Sequence, residues 1–187
     1  FLIAIESIEE GKVKEDDLVE IDKEIAKVRG SSYKLKEGEK VPLIELMNGL
    51  MIVSGNDAAI AIAKHIGGSV ENFVAIMNKR TKELGMKNTI FVNPNGLPIY
   101  SLKNPKKPPV ENISTPRDIS ILAKYMFDNY EKEVTSITDK EVYSYPERGF
   151  CKNNTNVLLQ LIPDVDGVKT GYTGNAGYCL CFSMKVC

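Results

Sequence analysis

Two tripeptides carry the residue types best suited to chemistry: Ser54-Gly55-Asn56 and Lys169-Thr170-Gly171. In the first, a hydroxyl and a carboxamide stand two residues apart on a tight connection between two apolar helical stripes. Ser54 there can relay a proton, and Asn56 can donate to a substrate carbonyl and accept from its amide. The bland reading of the same residues is a helix break, with Ser54 or Asn56 capping the helix that follows. In the second tripeptide, Lys169 supplies a fixed positive charge and Thr170 a hydroxyl for a carboxylate. Gly171, lacking a side chain, lets an extended peptide pair with the strand edge. The alternatives are an exposed lysine at a strand end and a phosphate loop. The phosphate loop fails because it needs Gly directly before Lys and a helix afterwards. Here Val168 intervenes and a strand follows.

Other reactive residues form no comparable pattern. His65 has no partner acid or nucleophile and reads as a surface or capping residue. Cys179 and Cys181 lie two apart on one strand face, and Cys151 and Cys187 add no zinc-site spacing, so buried or half-buried thiols are expected and no metal. The only Ser-x-x-Lys is Ser31-Ser32-Tyr33-Lys34, in a turn-rich stretch unsuited to stacking Ser and Lys on one helical turn.

The elements that must position the two tripeptides are legible from periodicity. Leu43, Leu46, Met47 and Leu50 make a helical stripe after Pro42 at the first helical position, and Ser54 continues it one turn later. Gly55 interrupts, and Ala59, Ile62, Ala63 and Ile66 start a second stripe. Ser69 caps a third helix that buries Val70, Phe73, Val74, Met77 and Leu84 and stops at Gly85. Thr115-Pro116-Arg117-Asp118 starts a fourth, with Ile119, Leu122, Ala123 and Met126 inward. Phe1–Glu10 reads as a helix tail ended by Gly11, and 30–39 as turns joining short strands. Asn93-Pro94-Asn95-Gly96 is a turn, and 97–112 an exposed, proline-rich loop with solvated lysines. Residues 140–145 read as a strand, 148–155 as loop and 157–162 as a short apolar element. From Ala176, strict alternation puts Ala176, Tyr178, Leu180, Phe182, Met184 and Val186 on one face of a half-buried strand. Clustered helices followed by late strands argue an α+β fold.

Composition sets the bounds. The 187 residues suffice for one domain core, and 43% hydrophobic with 26% charged residues is globular. A net charge of −1 gives no electrostatic reason to expect nucleic acid. No apolar run reaches the ~18 residues of a membrane span, and no signal peptide is seen. The first residues read as the middle of a helix, so the chain is expected to be a fragment.

Taken together, Ser54-Gly55-Asn56-Asp57-Ala58-Ala59, Leu84-Gly85-Met86-Lys87-Asn88-Thr89, Asn93-Pro94-Asn95-Gly96-Leu97, the 165–173 segment and Ala176-Gly177-Tyr178 resemble the low-molecular-mass penicillin-binding proteins that act as D-alanyl-D-alanine carboxypeptidases, a family of serine peptidases. The resemblance implies a β-lactamase-like catalytic domain, with a helical subdomain and part of an antiparallel sheet. It implies a serine attacking the carbonyl between the two terminal D-alanines of a peptidoglycan stem peptide, with release of D-alanine and hydrolysis of an acyl-enzyme. Ser54 and Lys169 are the catalytic residues it indicates, with Asn56, Lys169, Thr170 and Gly171 binding substrate and no cofactor. β-Lactams are implied as ligands, and an exported protein of the bacterial cell envelope, membrane-anchored in some full-length forms. The departure is the nucleophile. The family's Ser-x-x-Lys falls roughly two helical turns before Phe1 by this alignment. Residues 1–187 are therefore expected to be a catalytic domain cut at both ends and inactive in hydrolysis. The other readings are a class A-like β-lactamase or transpeptidase, where Asp is commoner at the position of Gly55, and a non-catalytic peptidoglycan-binding or scaffold protein.

Overall fold

The computed structural model describes residues 1–185. Val186, expected on the apolar face of the last strand, and Cys187 lie outside the described residues. In chain order come α1 (Leu2–Glu9), β1 (Leu18–Glu20), α2 (Lys23–Ala26), β2 (Lys40–Pro42), α3 (Leu43–Ile52), α4 (Asn56–Gly67), α5 (Val70–Glu83) and α6 (Pro116–Thr138). Then follow β3 (Val142–Tyr145), β4 (Phe150–Asn153), α7 (Leu158–Leu161), β5 (Val165–Thr173) and β6 (Gly177–Met184). Among the described residues the strands form three separate antiparallel ribbons, β1–β2, β3–β4 and β5–β6. The fold is α+β, as expected.

Helices α3 and α4 form the centre. Leu43, Leu46, Ile52, Ala58 and Ile62 are buried there, and the burial of apolar surface, rather than helix propensity, holds the pair together. Pro42 is the residue before α3 rather than its first turn, because it also closes the β2 pairing with Leu18. Gly49 leaves a notch in α3 that the fully buried ring of Tyr33 fills. Phe150 packs edge-on to that ring at 4.6 Å, and the Arg148 guanidinium lies 4.7 Å above it. This stack fastens 31–35 and the β3–β4 ribbon to α3.

The later helices follow their caps. Ser69 accepts from the Asn72 amide at the start of α5, and Thr115 from the Asp118 amide at the start of α6. Of the predicted α5 stripe only Phe73 is fully buried, since that helix packs on one side only. Helix α6 runs past the predicted stripe, bends at the non-helical Tyr130 and buries Val134 and Ile137. Asp118, itself buried, accepts from the Asn88 amide and the Thr89 hydroxyl and so pins 88–89 to α6.

Three expectations are corrected. The 148–155 segment is not all loop, because Phe150–Asn153 pairs with β3; polar residues on both faces concealed it. Strand β6 alternates as predicted, but Tyr178, Leu180, Phe182 and Met184 are exposed. It is the opposite face that turns inward, where Cys181 packs on the core and the Ser183 hydroxyl donates to Asp166 at 2.5 Å. Among the described residues only Cys181 is half-buried as expected; Cys151 is exposed, and so is Cys179, which shares the face of Cys181 but lies nearer the β5–β6 turn.

Candidate active site

Ser54 stands in the three-residue break between α3 and α4. It adopts a left-handed backbone, φ 59°, which an L-residue takes up only when its surroundings hold it there. The Gly55 amide donates to the Gly49 carbonyl at 2.9 Å, closing the turn. Gly55 is fitted closely. A Cβ there would lie 3.0 Å from Asp57 Oδ1, 3.1 Å from the Gly49 carbonyl oxygen and 3.1 Å from Tyr33 Cβ.

Asp57, 2% exposed, sets the entry into α4. Its carboxylate accepts from the Ser32 hydroxyl at 2.8 Å, and from the amides of Tyr33 at 2.8 Å, Leu35 at 3.1 Å and Ala58 at 3.0 Å. A negative charge at a helix N-terminus is favourable, and four donors repay its burial. Asn56 is also buried; its amide donates to the Ser31 carbonyl at 2.9 Å and its carboxamide nitrogen to the Arg29 carbonyl at 3.0 Å. Its side-chain oxygen is thus the group left to accept an incoming N–H. Donation to a substrate carbonyl, expected from the sequence, competes with Arg29.

Lys169 comes from the middle of β5. Its Nζ donates to Ser54 Oγ at 2.5 Å and to the Thr170 carbonyl at 2.7 Å. Burial holds its pKa down to about 8 from the usual 10.5, because the charged form is poorly solvated there. A lysine so placed is charged at neutral pH yet near enough to neutrality to exchange a proton with the hydroxyl it touches. Thr170 hydrogen-bonds the Thr155 hydroxyl at 2.7 Å. Gly171 is exposed and in register with Cys179.

The structure therefore brings Ser54 and Lys169 into contact, with Asn56 and Thr170 each one or two residues from that contact. It does not bring Ser31-Ser32-Tyr33-Lys34 into it as a helical pair. Ser32 is spent on Asp57, and Lys34 has a left-handed φ of 62°. His65, in the last turn of α4, pairs with Asp17 at 3.3 Å, away from the contact. The sequence reading missed Asp57 and Thr155. The cue for Asp57 was an acid in the first turn of a helix. The cue for Thr155 was its place in Asn154-Thr155-Asn156, where short polar side chains that bond backbone mark an ordered loop.

The chain is similar to known proteins over nearly its whole length. The family model described as D-alanyl-D-alanine carboxypeptidase matches residues 1–186. D-alanyl-D-alanine carboxypeptidase DacF of Bacillus subtilis is 40% identical over 186 residues, which is 98% of this chain and 45% of that protein. The crystal structure of the D-alanyl-D-alanine carboxypeptidase DacD from Francisella tularensis superposes with a TM-score of 0.86 at 29% identity, over 99% of this chain and 54% of that one. Penicillin-binding protein D2 from Listeria monocytogenes, in its ampicillin-bound form, superposes with a TM-score of 0.82 at 26% identity, over 98% of this chain and 70% of that one. The chain spans about half the length of the curated relatives it matches.

Proposed function

Since this chain belongs to the D-alanyl-D-alanine carboxypeptidase family, we propose that it serves removal of the terminal D-alanine from peptidoglycan stem peptides ending in D-Ala-D-Ala. The observation that carries the reading is the Lys169–Ser54 hydrogen bond, which joins two motifs 115 residues apart at a site open to an extended peptide.

The proposed roles follow from the groups present. The stem peptide lies along the β5 edge beside Gly171, and its terminal carboxylate meets the Lys169 charge and the Thr170 hydroxyl. Asn56 accepts from the substrate amide. A serine hydroxyl adds to the D-Ala-D-Ala carbonyl, and the C–N bond breaks. The proton of the attacking serine passes to the lysine of its own motif and on through Ser54 to the departing amine, with the Lys169 charge beside Ser54. Water then hydrolyses the ester. The acylated serine is proposed to lie on a Ser-x-x-Lys helical turn ahead of α1, since Ser31-Ser32-Tyr33-Lys34 is not helical: Ser32 and Tyr33 are bound to Asp57 and Lys34 is left-handed. β-Lactams, as mimics of the dipeptide, are proposed to acylate the same serine, and the bacterial cell envelope is the proposed location. No helix among the described residues is long and apolar enough to cross a membrane.

One observation favours a second reading. A lysine with a pKa near 8, in contact with Ser54 Oγ, is also the pairing that would activate Ser54 itself as the nucleophile.

The test is release of free D-alanine from diacetyl-Lys-D-Ala-D-Ala by the full-length protein. Lys169→Ala is expected to lower kcat/KM by about 100-fold or more, through lost charge stabilisation, and Ser31→Ala to leave it unchanged. Release abolished by Ser31→Ala overturns the assignment of the nucleophile. No D-alanine release by the unaltered protein overturns the reaction and leaves a peptide-binding role.

A further inference from the structure

Thr155 stands beside Thr170 without any motif to announce it. It is the centre of Asn154-Thr155-Asn156, in the connection from β4 to α7. Both asparagine side chains are spent on backbone. Asn154 Nδ2 donates to the carbonyls of Lys140 at 2.9 Å and Thr138 at 3.3 Å, and its oxygen accepts from the Asn156 amide at 2.9 Å. Asn156, 3% exposed, donates to the Gly167 carbonyl on β5 at 3.0 Å and accepts from the Leu158 amide at 3.2 Å. The Asn154 amide is tied to the Glu141 carbonyl at 2.7 Å, and the Thr155 amide to the Ile52 carbonyl at 2.9 Å. Ile52 is the last residue of α3, two before Ser54.

This tripeptide is thus fastened to α3, to the chain after α6 and to β5. Its one outward group is the Thr155 hydroxyl, exposed and bonded to Thr170 Oγ1 at 2.7 Å. Each hydroxyl has one hydrogen to give. With no anion present one hydroxyl donates to the other. An arriving carboxylate has two oxygens, and two adjacent hydroxyls can turn both hydrogens towards them, since hydroxyl rotation costs little. Hydrogen bonds to a charged acceptor are about twice as strong as neutral ones, so the exchange is favourable. The fixed backbone on both sides means the site need not be ordered on binding.

We propose that Thr155 is a substrate-binding residue, the second hydroxyl of the carboxylate subsite, acting with Thr170 to select peptides that end in a free α-carboxylate. The inference rests on the peptidase reading above. It differs from a packing role, because Thr155 covers no core and its side chain has no partner but Thr170 among the described residues.

The experiment compares diacetyl-Lys-D-Ala-D-Ala with the same peptide ending in a carboxamide, using the full-length protein and its Thr155→Val and Thr155→Ser variants. Thr155→Val is expected to raise KM for the acid by about 10- to 100-fold, the worth of one hydrogen bond to a charged group. It should change kcat little and the amide's kcat/KM little, and Thr155→Ser should restore the acid. Equal losses for acid and amide, or a loss that Ser does not restore, would show that Thr155 only holds the loop and overturn the proposal. A Thr155→Val variant that matches the unaltered protein on both peptides overturns it too. If the unaltered protein releases no D-alanine, the peptidase reading fails; binding of the two peptides, measured by calorimetry on the same variants, then carries the comparison, with weaker binding of the acid and unchanged binding of the amide still expected for Thr155→Val.

Discussion

Gly49 and Tyr33 fit as notch and ring: a Cβ on Gly49 would lie 2.5 Å from Tyr33 Cγ. The glycine sits mid-helix, where it costs about 1 kcal/mol relative to alanine. The structure retains it because the ring, fully buried, holds the loop that Asp57 grips. Gly49→Ala is therefore expected to destabilise by about 1–3 kcal/mol despite its better helix propensity, through overpacking against a ring that cannot retreat. Urea unfolding measures this. An unchanged or higher midpoint would show that the notch closes freely.

Asp57 is the second fastening. Asp57→Asn exchanges a four-fold acceptor for a group whose nitrogen must face a donor. The expected loss is about 2–3 kcal/mol, with at least one amide of 33–35 left unpaired. Faster hydrogen exchange at the Tyr33 and Leu35 amides is the accompanying sign. A variant as stable as the parent would mean that the capping carboxylate contributes little.

The pH dependence of stability follows from Lys169. Its folded pKa, held to about 8, lies below the unfolded 10.5, so between these values the unfolded chain binds more protons. The cost of burying the charge is complete below pH 8 and gone above 10.5, which makes stability rise with pH across that window. The difference is about 3 kcal/mol at most. Lys169→Met should remove this rise while other titrations remain. A parent and variant with parallel profiles from pH 7 to 10.5 would contradict the burial of the charge.

Substrate binding should run the opposite way. The carboxylate needs the protonated lysine, so the apparent affinity for a D-Ala-D-Ala peptide should weaken above about pH 8. The C-terminal amide, which has no charge to meet, should show a flatter profile. Identical profiles for the two peptides would remove Lys169 from the carboxylate subsite.

Acylation by penicillin locates the nucleophile. After incubation with fluorescent penicillin, intact-mass measurement on residues 1–187 is expected to show no adduct. A version extended at the N-terminus to include a Ser-x-x-Lys turn is expected to show one. An adduct on the shorter chain that Ser54→Ala removes would establish the second reading, with Lys169 as the base for Ser54.

Several features of this protein were decided locally and were legible without coordinates. Caps at Ser69 and Thr115, the glycine stop at Gly85, the turn at Asn93-Pro94-Asn95-Gly96 and the alternation through β6 each depend on residues within a few positions of one another. Backbone sterics and short-range hydrogen bonds act at that range. The two chemical tripeptides were legible too, because their residue types are unusual together. What only the tertiary structure decided is which distant groups meet. Ser54 and Lys169 touch because α3 ends where β5 crosses it, and the lowered lysine pKa exists only once that crossing excludes water. The same applies to Thr155, whose hydroxyl gains a partner through a loop fastened to three other segments. It applies to β6 as well: alternation separates two faces of a strand, but which face turns inward is set by what packs on it. Local rules depend on sequence neighbours, whereas burial and contact depend on the whole chain.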